Sequence, residues 1–163
     1  MGAHLKTSDI CQVSGYSRDQ VQSLLKLLPP YCVAPAEQRI ARVFRPQDLI
    51  VISAAYQLEC HCGVRRAELG NIGLMLHATL NGPKVVSADP LLVVSFDPPV
   101  VKYVATRRAQ VEVSVVRLRP IFDRVDAYLE RAANKFGEQW SLDLYPALAT
   151  DVLRAPGIGR NSA

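Results

Sequence analysis

The stretch ICQVSGYSRDQVQSLLKLLPP, residues 10–30, decides how the rest of the chain is read. Residues 7–14 have the length and pattern of a short helix, with Thr7 or Ser8 as its cap and Ile10 and Val13 on one face. Gly15 tolerates the positive φ of a tight turn. Ser17 is a second candidate N-cap. Behind it Val21, Leu24, Leu25 and Leu28 fall at i, i+3, i+4 and i+7, a helical apolar stripe. Arg18, Gln22, Ser23 and Lys26 project elsewhere, and Pro29-Pro30 ends the helix. Two short helices joined through glycine fit a helix-turn-helix, and they fit an ordinary helical hairpin in a core as well. The surrounding sequence has to choose.

Outward from this stretch, residues 31–45 read as a loop or small hairpin. They carry Arg39, Arg42 and Arg45 against the single acid Glu37. Pro46 suits a first helical turn, and Leu49, Ile50, Ile52, Ser53 and Tyr56 continue a helix to about Glu59. CHCG breaks it. A further helix runs from Val64 to Leu80, with Leu69, Ile72, Leu76 and Leu80 on one side, and Asn81-Gly82-Pro83 stops it. Beyond residue 84 the texture changes. LLVVSF (91–96) and VVKYVA (100–105) have strand composition and are separated by Asp97-Pro98-Pro99. QVEVSVVRL (110–118) alternates Val111, Val113 and Val115 with polar neighbours, the period of a half-buried strand. Pro120 opens a helix through about Phe136, whose apolar face is Ile121, Phe122, Val125, Leu129, Ala132 and Phe136. That stripe is expected to pack on the chain's own sheet or to mediate dimerisation. The predicted fold class is α+β: a helical domain over residues 1–82, then a module of antiparallel strands and one amphipathic helix over 83–163.

The totals bound the function. The chain has 163 residues, 49% of them hydrophobic, enough to bury a core. Its net charge is +4 and its pI about 9.0. Residues 1–84 hold nine Lys/Arg against six Asp/Glu, and residues 85–163 hold ten against nine. The positive excess therefore sits mostly with the opening stretch, which permits a nucleic-acid partner without demanding one. No apolar run approaches the roughly 18 residues of a membrane span, and MGAHLKTSDI lacks a signal peptide's apolar segment. A cytoplasmic protein with reduced thiols at Cys11, Cys32, Cys60 and Cys62 is expected.

Residues 8–80 thus run short helix, glycine turn, second helix, basic loop and two more helices. This order resembles the winged helix-turn-helix of the MerR regulator family. The matching segments are VSGYSRDQVQSLLKLLPP, RVFRPQDL and CGVRRAELGNIGLML, the last similar to that family's fourth helix. The family's Arg, aromatic and acidic-Leu pattern corresponds to Arg42, Phe44 and Asp48-Leu49. The resemblance implies a double-stranded DNA partner. It departs from the family at Gln22, where an Arg is usual, and at Ser23 and Leu24, where aromatics are usual. Asn81-Gly82-Pro83 and the β-rich stretch replace the family's long dimerisation helix, so its antiparallel coiled-coil dimer is not expected.

The residues make a physical case of their own. A recognition helix packs one face on its domain and presents donors on the other. Val21, Leu24 and Leu25 suit the first task, and Ser17, Arg18, Gln22, Ser23 and Lys26 the second. Base discrimination falls to Arg18 and Gln22. Arg39, Arg42 and Arg45 suit phosphates. The expected protein is a sequence-specific transcriptional regulator, not an enzyme, with no cofactor or metal. A homodimer is expected, with room for a small-molecule or protein effector in the second module. The alternatives are an excisionase-like architectural factor of a mobile element and a protein-binding adaptor without DNA binding. Cys60, His61 and Cys62 are contiguous, unlike the C-x2-C spacing of zinc sites, and a fourth ligand would have to come from Cys32 or Cys11. His77, among Leu74, Leu76 and Leu80, is expected to be a partly buried structural histidine.

Overall fold

The computed structural model describes residues 5–32, 42–105 and 113–136. Helix α1 spans Thr7–Ser14. Its cap position is Lys6 rather than Thr7 or Ser8, because the Lys6 backbone N–H donates to Oδ2 of Asp9 at 2.5 Å. A carboxylate in the first turn satisfies that orphan amide and opposes the helix dipole. Gly15 ends α1 at φ +91°, with its N–H donating to the Cys11 carbonyl. Helix α2, Arg18–Leu25, opens on the reciprocal cap expected of Ser17. The Ser17 hydroxyl accepts from the Gln20 N–H at 3.3 Å, and the Gln20 side chain accepts from the Ser17 N–H at 2.8 Å.

Helix α2 is shorter than the expected run to Leu28. The Leu27 N–H donates to the Leu24 carbonyl at 3.0 Å, tightening the last turn before Pro29. Leu28 is nonetheless fully buried. Helix α3, Pro46–Cys60, carries Pro46 in its first turn as expected. Every residue from Leu49 to Ala55 is buried, so α3 is central and apolar all round rather than striped. Helices α1, α4 and α5 and strand β3 all pack against it. The Ser53 hydroxyl is buried there with no hydrogen-bond partner among the described residues. Helix α4, Arg66–Asn81, starts after the expected Val64, which is itself buried. At Gly73 it approaches so closely that a Cβ would lie 2.7 Å from Cδ of Pro29.

Strands β1 (Leu91–Phe96), β2 (Pro99–Val104) and β3 (Ser114–Arg117) form an antiparallel sheet in the order β2-β1-β3. Val94 pairs with Val101, and Leu92 with Val116, which puts these four buried side chains on one face. This corrects the expected inner face of the third strand: Val116 is 3% exposed and Val115 is 43% exposed. A shift of one residue exchanges the faces, and pairing with Leu92 fixes which valine turns inward. The expected residues Val111 and Arg39 lie outside the described residues.

Helix α5 spans Arg119–Phe136. Of its expected stripe, Ile121, Phe122, Val125 and Leu129 are buried, and Ala132 is half-buried. The stripe packs chiefly on α3 and on α1, within the one core cluster that also holds the sheet's buried residues. Buried side chains from α1 through α5 form one continuous cluster, each fully buried Leu or Ile contributing on the order of 2 kcal/mol. The chain is α+β, with five helices and a three-stranded antiparallel sheet among the described residues. No described helix is long and apolar enough to cross a membrane.

Candidate nucleic-acid interface

Helix α2 divides as its sequence predicts. Val21 and Leu24 are fully buried and Leu25 nearly so, while Ser17, Arg18, Gln22, Ser23 and Lys26 are exposed. Arg18, Gln22 and Lys26, spaced at i, i+4 and i+8, follow one outward line. Neither Arg18 nor Lys26 is in an ion pair among the described residues. The face is open, cationic at both ends and rich in hydrogen-bond donors.

The turn beneath it is held by residues that local periodicity does not single out. The Tyr16 hydroxyl donates to Oε2 of Glu59 at 2.6 Å. Arg66 grips the same carboxylate with two hydrogen bonds of 3.0 Å and lies over the Tyr16 ring. Tyr56 meets Tyr16 edge-on at 4.9 Å. Burial, reinforced by the Glu59 hydrogen bond, drives the Tyr16 hydroxyl far above the usual phenol range. The Glu59 hydrogen bond likewise raises Arg66. Three elements thus fix the entry to α2: the loop after Gly15, the end of α3 and the start of α4.

A second anchor holds the chain on either side of residues 33–41, which are outside the described residues and contain Arg39. The Tyr31 hydroxyl donates to Oδ1 of Asp48 at 2.6 Å, and the Arg45 N–H donates to Oδ2 at 2.7 Å. Burial followed by the Asp48 charge pushes the Tyr31 hydroxyl strongly up. Phe44 exchanges two backbone hydrogen bonds with Leu5, at 3.0 and 3.2 Å. Arg42 is half-buried beside this bridge and Arg45 is exposed. His77 is half-buried, edge-on to Tyr31 at 6.0 Å and within 2.9 Å of the Asn81 amide.

The Leu5–Phe44 bridge brings together residues that the sequence keeps apart. Lys6, Thr7, Ser8, Cys11, Arg18 and Arg42 line one open cleft of about 570 Å³. Of these, only Arg18 and Arg42 are legible as interface candidates in the sequence. Burial pushes the Cys11 thiol up, against the pull of the Arg18 charge, so it stands in the cleft as a neutral thiol. Elsewhere, Cys60, His61 and Cys62 are exposed, and Cys62 reaches the Val115 carbonyl only at 3.9 Å. Among the described residues no three His, Cys, Asp or Glu side chains are grouped to hold a metal ion. In comparisons with known proteins, no family model, curated relative or solved structure matches the chain.

Proposed function

We propose that the chain is a sequence-specific DNA-binding transcriptional regulator with a winged helix-turn-helix. In this reading α1, the Gly15 turn and α2 are the helix-turn-helix, and α2 enters the major groove. The basic segment 37–45, with Arg39, Arg42 and Arg45, is the wing that touches phosphates. The observation that carries the reading is the division of α2. Its apolar side is sealed into the core, and its donor side, Arg18, Gln22, Ser23 and Lys26, faces solvent. A polar outer side is common to amphipathic surface helices; what suits this one to a groove is that its row carries Arg18 and Lys26, neither in an ion pair among the described residues, with the Gln22 amide between them.

Specific sites are usually read by two such helices about one DNA turn apart, so the regulator is proposed to act as a homodimer. The test is a gel shift on genomic fragments at two salt concentrations with competitor DNA. One fragment retained under competitor at the higher salt is the expected result. A shift that competitor abolishes equally for every fragment removes sequence specificity. The adaptor alternative draws on Leu27 and Leu74, exposed at 49% and 63%, and it predicts no shift at either salt.

A further inference from the structure

The cleft between α1, α2 and the Leu5–Phe44 bridge collects positive charge from three separate segments. Lys6 precedes α1, Arg18 opens α2, and Arg42 stands just before the bridge. None of the three has an ion-pair partner among the described residues. Of the carboxylates next along the chain, Asp19 beside Arg18 does not line the cleft, and neither does Asp9. Its two oxygens accept from the Lys6 N–H and the Tyr128 hydroxyl. Thr7 and Ser8 add hydroxyl groups to the wall. Three cations around one concavity with no anion in its lining create a local positive potential that favours a bound anion. The frame is also fixed in advance. The two backbone hydrogen bonds between Leu5 and Phe44 hold Lys6 near Arg42, and the Ser17–Gln20 cap sets the first turn from which Arg18 projects.

We propose that this cleft is the seat of one DNA backbone phosphate, and that Arg18 grips that phosphate rather than reading a base. This rests on the DNA-binding reading above and assigns new members, Lys6, Thr7 and Ser8, to the interface. A guanidinium on each side offers planar forks matched to phosphate oxygens. Seating the backbone here would set the register of α2 in the groove and leave base reading to Gln22 and its neighbours.

The test uses the full chain and its Lys6→Gln and Arg18→Gln variants, with Gln22→Ala for comparison. Lys6, Arg18 and Gln22 are exposed, so the fold is expected to survive, and a thermal melt checks it. Binding to the duplex selected in the gel shift and to a scrambled duplex is followed by fluorescence anisotropy over a range of salt. Lys6→Gln and Arg18→Gln should weaken both duplexes by the same factor. Each should also reduce the slope of log K against log salt, by up to about 0.9, the whole contribution of the one phosphate they share. In parallel, inorganic phosphate titrated without DNA should shift the backbone amides of Lys6, Thr7 and Ser8, and Arg18→Gln should abolish the response. DNA binding with an unchanged slope in both variants would overturn the seat and leave the DNA reading standing. So would an Arg18→Gln variant that changes the preference between duplexes at constant slope. A phosphate response with no DNA binding at any salt would overturn the DNA source and mark a site for free phosphate. Absence of both responses overturns the seat and the DNA reading together.

Discussion

The hydroxyl of Tyr128 donates to Oδ1 of Asp9 at 2.5 Å, which ties α5 to the first turn of α1. Arg124 adds a longer bond, 3.4 Å, from Nη1 to the Val13 carbonyl. The last described helix therefore holds the first one in place from outside. Tyr128→Phe should destabilise the fold by about 1 kcal/mol, the net worth of one such hydrogen bond. The effect has a pH signature. Burial, with help from the Asp9 hydrogen bond, pushes Tyr128 up to about 12. A folded-state value above the unfolded one means stability that is present below pH about 10 and lost as pH rises through about 12. The difference in unfolding free energy between the parent and Tyr128→Phe should accordingly shrink across that window. Urea melts at pH 8 and pH 11 check it, and a difference that stays constant would show that the Tyr128 hydroxyl titrates alike in the folded and unfolded chain.

The Glu59 carboxylate serves Tyr16 and Arg66 at once, and this makes its loss unequal to theirs. Glu59→Ala leaves a buried phenol unpaired and a guanidinium uncompensated, at a cost of about 2–3 kcal/mol. Arg66→Ala leaves Tyr16 bonded to Glu59. Because both members of the ion pair remain 23% exposed, water moderates its loss to about 1 kcal/mol. Chemical denaturation of the two variants decides the order, which should be Glu59→Ala well below Arg66→Ala.

Glycine 15 and glycine 63 both have positive φ, +91° and +70°, but only the first is crowded. A Cβ at Gly15 would sit 3.1 Å from the Tyr56 ring, and one at Gly63 meets nothing within 4 Å. Gly63→Ala should cost about 1 kcal/mol from backbone strain alone. Gly15→Ala should cost about 2–3 kcal/mol, because Tyr56 must also yield. Equal costs in thermal melts would show that Tyr56 gives way freely.

These anchors mark where sequence reasoning stops. The cap at Ser17 and the stripe of Val21, Leu24 and Leu25 are local signals, and α2 follows from them. The stripe of α5 is equally plain, yet an apolar face does not name what it covers, and α3 and α1 are its chief neighbours. Val115 and Val116 are adjacent valines of the same strand preference, and only the cross-strand partner Leu92 decides which one is buried. The Tyr16–Glu59 bond spans 43 positions, beyond any helical or strand period. Lys6 and Arg42 likewise meet through the Leu5–Phe44 bridge, which carries no pattern of its own. Two of the cleft's three cations, Arg18 and Arg42, are therefore legible one by one, and their assembly is not.

Gln22 and Lys26 share the outward line of α2 but should behave differently on DNA. Glutamine can donate and accept at one base edge, a pairing worth about 1–3 kcal/mol of discrimination. Gln22→Ala should therefore weaken the selected duplex while leaving a scrambled duplex almost unchanged, and the salt slope should stay the same. Lysine is a point charge on a flexible stem. Lys26→Ala should weaken both duplexes alike and lower the slope by about 1. Anisotropy titrations at two salt concentrations separate the cases. If Gln22→Ala loses affinity equally for both duplexes, α2 does not read bases through this residue, and specificity must reside elsewhere on the chain.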